Sequence, residues 1–313
     1  MKKVKIIYVL LLIPLLSGCS GAEKTAAAML NDTSGKNSIY VEAQEDYTPP
    51  PFADSVFHDD LADGNERVRI DMSAVSEGYV AVSARSEKRL KFQTIFGDVV
   101  YNYDISSDGK ASIFPLQSGG GSYRFRVMEN TSDSRYTEVY AVGCSVELRD
   151  EFQPFLRPND YVPYKEDSAC VKKAKALAET ADDARGFIAA VYDFVSANVA
   201  YDREKAETVQ PGYLPDPDET LLTGKGICLD RAALAAAMLR SQGVPTKLVF
   251  GYVLPDESYH AWNRCYTQQT GWVTVSFERK KDAQDSLFRL FAADGIDDPF
   301  ISDDSNYAEL YSY

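Results

Sequence analysis

The sequence predicts an α+β protein, with an N-terminal antiparallel β-sandwich followed by a helix bundle packed with a second antiparallel sheet. Three observations predict it. Up to about residue 150, apolar and polar residues alternate with period two, broken by turn residues roughly every 8–12 positions. After about residue 165 the apolar residues recur at i, i+3 and i+4. Beyond Pro245, three strand-like runs return. The length of 313 residues fits about two domains. With 45% hydrophobic and 26% charged residues, wholesale disorder and a collagen-like repeat are excluded.

The N-terminus reads as an address. Lys2, Lys3 and Lys5 precede the apolar run Ile6 to Leu16, interrupted only by Pro14. About 11 residues are too few to span a bilayer as a helix, which needs about 20, but they suit a secretory signal over residues 1–18. Leu16-Ser17-Gly18-Cys19 resembles the bacterial lipoprotein box. That resemblance implies cleavage before Cys19 and a diacylglycerol thioether on its sulfur. Two acyl chains hold a protein stably where one is marginal. The implied location is the extracytoplasmic face of the cell membrane, with the bilayer as a partner through Cys19. Residues 19–38 are small and polar, as expected of a lipidated tether. The net charge is −14, or about −17 once the three N-terminal lysines are removed. So acidic a chain is repelled by nucleic acid, and none is expected as a partner.

Residues 39–160 supply the predicted sandwich. Arg67–Asp71, Tyr79–Ser83, Leu90–Thr94, Val99–Tyr103, Ser122–Val127 and Tyr136–Leu148 read as strands, separated by turns such as Ser107-Asp-Gly109 and Gly119-Gly-Gly121. His58 stands alone in a loop bounded by Pro and Asp, as surface histidines do. No metal-ligand spacing occurs here, so neither a metal nor a cofactor is expected. Nothing in this half says what it binds.

Residues 165–313 form the second domain. Ala169–Ala178 and Ala184–Val199 carry helical spacing, with Asp182 and Asp183 placed to cap the second. Gln210–Asp218 is rich in proline and is expected to be loop. A helix from Cys228 to Gln242 stops at Gly243 and Pro245. Strands are expected over Lys247–Val253, Tyr259–Tyr266 and Gly271–Phe277. In an oxidising compartment, Cys144 and Cys170 could pair across the junction; the alternative is that they stay as buried thiols.

The chemistry concentrates at Cys228 and His260. From Leu229 to Leu239 only Asp230 and Arg231 are charged, and a helix apolar on almost every face is buried within a domain. The tip of such a helix carries unpaired N–H groups and about half a positive charge. A cysteine placed there has its thiolate stabilised, and the same N–H groups can donate to an oxyanion. Gly224 and Gly226 allow a sharp turn and close approach by a substrate. His260, on a strand shortly after, supplies the imidazole that nucleophilic acyl transfer needs. Trp262 shares its strand face and would shield it from water, while Asn263 and Cys265 face the other way. Asp230, in the first helical turn, is expected to cap the helix.

These residues resemble a known family. Gly226-Ile-Cys228, Asp230, the Ala-rich helix, Gly243-Val-Pro245, Phe250-Gly-Tyr252 and His260-Ala-Trp-Asn263 are similar to the transglutaminase-like core of the papain-like cysteine enzymes. The resemblance spans about residues 185 to 280. It implies Cys228 as nucleophile, His260 as general base and acid, and thioester chemistry on amides without a metal. The family places an aspartate four residues after a tryptophan to orient the histidine. Here Trp272 is followed at that distance by Ser276, and Glu278 lies on the same strand face two residues on, so these two are the candidates for the third role. Serine can fix the ring tautomer but brings no charge to steady an imidazolium.

Two functions follow. The first is a membrane-anchored thiol enzyme that hydrolyses peptide or protein amides at the cell surface; water needs no second binding site, whereas transamidation needs one for an amine. The second is a non-catalytic module that keeps the scaffold to bind cell-surface peptide or glycan.

Overall fold

The computed structural model describes residues 47–255, 257–275 and 306–313. The signal segment, Cys19, the tether, Ser276 and Glu278 lie outside the described residues. The described residues fall within one compact unit.

Two four-stranded antiparallel sheets fill the first half. One joins β1 (Asp63–Gly64), β2 (Val68–Asp71), β3 (Tyr79–Ala84) and β6 (Ser112–Pro115) in that order. The other joins β5 (Val99–Ile105), β4 (Leu90–Phe96), β7 (Gly121–Ser132) and β8 (Arg135–Val146). Alternate residues of β4 and β7 (Leu90, Phe92, Tyr123, Phe125 and Val127) point inward and are buried, as their period-two pattern requires. Phe114 of β6 meets Phe92 at 5.3 Å and Tyr103 at 4.1 Å between ring centroids, so the two sheets pack face to face. The sequence pattern missed β6. It is four residues long, ends in Pro115 and pairs only with β3, an edge position where proline is tolerated.

The helices follow: α1 (Ala169–Ala178) and α2 (Ala184–Asn198). Asp183 caps α2 as expected, accepting the Gly186 N–H at 2.7 Å. The stretch expected to be loop is partly helical. After β9 (Ala200–Tyr201), α3 (Arg203–Thr208) precedes the proline run, and α4 (Pro217–Thr223) begins inside it. Proline is well suited to the first turn of a helix, and Asp216 caps it by accepting the N–H groups of Asp218 and Glu219 at 3.0 Å each. β10 (Lys225–Gly226) pairs parallel with β9 and leads into α5 (Cys228–Ser241). Every residue of α5 from Leu229 to Ser241 is buried.

A third antiparallel sheet runs β13–β12–β11–β14, formed by β11 (Thr246–Val253), β12 (Ser258–Thr267), β13 (Gly271–Val275) and β14 (Tyr307–Ser312). α5 lies on it. Asn263 of β12 donates to the Ala232 carbonyl at 3.1 Å, and Leu248, Ala261, Cys265 and Val275 share one apolar core with the helix. At the far end of α5, the buried Arg240 guanidinium donates to the carbonyls of Thr246 (2.8 Å), Arg157 (3.0 Å) and Tyr313. Burial lowers its pKa to about 10. The core does not break near residue 160: Tyr313 stacks on Tyr161 at 4.0 Å and meets Phe250 at 5.5 Å and Tyr103 at 5.9 Å. No described helix is long and apolar enough to cross a membrane.

Candidate active site

The turn before α5 fixes where the sulfur sits. α4 closes on Gly224 in the left-handed region (φ +63°), and two parallel-strand bonds then hold the chain: Ala200 N–H to Gly224 O at 2.8 Å and Asp202 N–H to Gly226 O at 3.0 Å. Ile227 is extended, and Cys228 is the first helical residue. Cys228 is half-buried and carries a thiol rather than a disulfide. Cys144, Cys170 and Cys265 are likewise thiols, so the alternative of a Cys144–Cys170 pair is not realised. Cys170 and Cys265 are buried, and burial pushes both thiols up, Cys265 to about 12. Buried and protonated at neutral pH, those two are poor nucleophiles.

Asp230 does cap the helix, and it does more. Fully buried, it accepts the Ile227 N–H at 2.9 Å, the N-terminal half of a capping box; Ile227 has no side-chain acceptor to complete it. Tyr213 donates its hydroxyl to Asp230 Oδ1 at 2.6 Å, and Lys205 Nζ lies 2.7 Å from Oδ2 and 2.7 Å from the Tyr213 oxygen. Burial alone would lower the Lys205 ammonium, but hydrogen bonds to Asp230 and Tyr213 outweigh it and hold the pKa above the ordinary value. Burial, then the bond to Asp230, pushes the Tyr213 phenol up to about 12. Gly226 serves this cluster rather than a substrate: a Cβ there would stand 2.6 Å from Asp230 Cβ. The sequence reading missed Lys205 and Tyr213. The available signal was Asp230 itself, since a carboxylate inside an apolar helix must find buried partners.

β12 runs alongside α5 in the same sense. Ala232 sits beside Asn263, and one helical turn back Cys228 lies within electrostatic reach of Tyr259. The Tyr259 phenol is pushed up by burial and then by the electrostatic influence of Tyr311, Tyr252 and Cys228. The structure thus brings Cys228 to the end of β12 that carries His260. His260 is buried, lies directly across from Gly251, and shares strand parity with Trp262. Trp262 packs on Val249, Val253 and Tyr307 on the sheet face away from α5. Gly251 flanks a bulge against β14, and its absent Cβ leaves room for the Ala308 carbonyl and the Trp262 ring. The bulge lies between β11 and β14, and the β11–β12 register runs unbroken through Gly251 and His260. Tyr252, Tyr259 and Tyr311 are exposed on the three neighbouring strands β11, β12 and β14. His58, read as surface decoration, bonds at 3.2 Å through Nδ1 to buried Asp71; Ser73 Oγ reaches the same nitrogen at 3.5 Å, so the trio lacks the relay order of a catalytic triad.

Residues 171–277 match the model of the transglutaminase-like superfamily. The UPF0252 protein MJ1282 of Methanocaldococcus jannaschii is 28% identical over 118 residues, which are 36% of this chain; the match spans 31% of that protein's length. Among solved structures, a proposed cysteine protease from Cytophaga hutchinsonii aligns with TM-score 0.39 at 16% identity, covering 74% of this chain and 73% of that one. LapG of Legionella pneumophila aligns with TM-score 0.30 at 15% identity (46% and 79%), and red sea bream transglutaminase with 0.31 at 13% (66% and 49%). Residues 171–277, in which Cys228 leads a buried helix laid along the strand of His260, are thus similar to the transglutaminase-like superfamily.

Proposed function

We propose that the chain is a thiol acyl-transfer enzyme that hydrolyses peptide or protein amide bonds outside the cytoplasm, anchored to the membrane through Cys19. The observation that carries it is Cys228: a half-exposed thiol at the first position of a helix whose remaining residues are all buried. The helix end favours the thiolate. The thiol passes its proton to His260, the sulfur attacks the amide carbonyl, and N–H groups at the tip receive the oxyanion. His260 gives a proton to the leaving amine, which departs as the thioester forms. His260 then takes a proton from water, whose oxygen attacks the thioester and releases the acid and the thiol. Ser276 or Glu278 orients the ring in this reading, and the exposed tyrosines Tyr252 and Tyr259 border the acyl side of the substrate.

Labelling with iodoacetamide, resolved peptide by peptide, tests it. Cys228 is expected to react at least tenfold faster than Cys265, and His260→Ala to abolish the difference. Cys228→Ala is expected to remove all turnover of a mixed peptide library. Equal, slow labelling of both thiols would instead support the non-catalytic binding module.

A further inference from the structure

Asp230 poses a problem for any anion at the tip of α5. It is fully buried, two residues beyond Cys228, and draws on the same helix end that would stabilise a thiolate. We propose that Lys205 is a positioning residue for the thiol: by neutralising Asp230, it leaves the positive helix end available to Cys228. This inference rests on Cys228 being the nucleophile. The geometry is specific. Lys205 comes from α3, more than twenty residues earlier, and its ammonium touches both Asp230 Oδ2 and the Tyr213 hydroxyl at 2.7 Å. Tyr213 closes the triangle at 2.6 Å. Asp202 holds the start of α3 in place, accepting the Lys205 N–H at 2.9 Å, while its own N–H binds Gly226 O in the turn before the thiol. One short segment therefore delivers both the cation and the backbone strap. The charged or titratable groups on the elements about the tip include Asp230 and Arg231 on α5, Lys225 on β10, Asp202 and Lys205 at the start of α3, Tyr213 from the proline run, Asp216, Asp218 and Glu219 of α4 and its cap, and Tyr259 and His260 on β12. Of these carboxylates Asp230 alone is fully buried, and Lys205 is the cation paired with it.

The test is the pH dependence of iodoacetamide labelling at Cys228 in the full chain, read by mass spectrometry of its peptide, with His260 present in every variant. Lys205→Met is expected to move the midpoint up by about one, a roughly tenfold loss of thiolate at pH 7. Lys205→Arg keeps the charge and is expected to hold the midpoint. Asp230→Asn alone is expected to lower it, and adding Asp230→Asn to Lys205→Met to cancel the upward move. The inference is overturned if Lys205→Met leaves the midpoint in place, or if the double variant shifts as far as the single, since a purely structural strap would behave that way. Should Lys205→Met fail to fold, an unmoved midpoint in Asp230→Asn overturns it equally. Failure of the nucleophile reading looks different: a wild-type midpoint at the ordinary thiol value of about 8.5.

Discussion

Gly226 has no side chain because Asp230 fills the place where one would be. With 2.6 Å between a built Cβ and the aspartate, Gly226→Ala must expel the carboxylate or bend the turn. The expected cost is about 1–3 kcal/mol in urea unfolding, together with slower labelling of Cys228; an unchanged unfolding midpoint would sink this account. The nucleophile candidate was legible in the sequence because its signal is local: an uninterrupted apolar helix with a cysteine at its start. Lys205 and Tyr213 were not legible. Both belong to a polar, proline-broken stretch that carries no periodic pattern, and only folding brings them beneath the helix tip.

At the scale of elements, the caps divide in the same way. α2 is capped by Asp183 three residues from its donor, and the sequence announced it. α1 is capped by Asp218 of α4, which accepts the Cys170 N–H at 2.8 Å and the Ala169 N–H at 3.1 Å from nearly fifty residues away. Burial would raise the Asp218 carboxyl, but the backbone bonds from Cys170 and Ala169 outweigh it and leave the pKa below its ordinary value. A carboxylate with a depressed folded-state pKa contributes stability above the unfolded value, near 3.9, and loses it as pH falls through the folded one. Asp218→Asn is therefore expected to cost about 1 kcal/mol at pH 7, with the deficit shrinking below about pH 4 in paired thermal melts. A deficit that persists unchanged at pH 2 would show that charge is not the agent. β14 was hidden for a related reason: its strand identity comes from pairing with β11, and its middle residues stay exposed, so alternation is weak.

For the whole molecule, composition and periodicity gave two structural classes in the right order, strands up to Val146 and helices from Ala169. What no local pattern carries is the aromatic cluster of Tyr103, Tyr161, Phe250 and Tyr313, which joins residues far apart in sequence into one core. Aromatic pairs add about 0.5–1.5 kcal/mol each beyond area burial, enough to couple the two halves. Unfolding is expected to be a single transition, with loss of near-ultraviolet dichroism coinciding with exposure of Cys265 to a thiol reagent; two separated transitions would refute the coupling. The first described residues also matter at this scale. Tyr47 donates its hydroxyl to the Gln242 carbonyl and Pro50 lies against Gly243, just past the far end of α5. A 14-residue helix is about 21 Å long, so Tyr47 and Pro50 lie about one helix length from the start of α5, where Cys228 sits. On the proposal that Cys19 carries a membrane anchor, the tether would lead to the end of α5 opposite the thiol, and access to Cys228 would not be blocked by its own mooring.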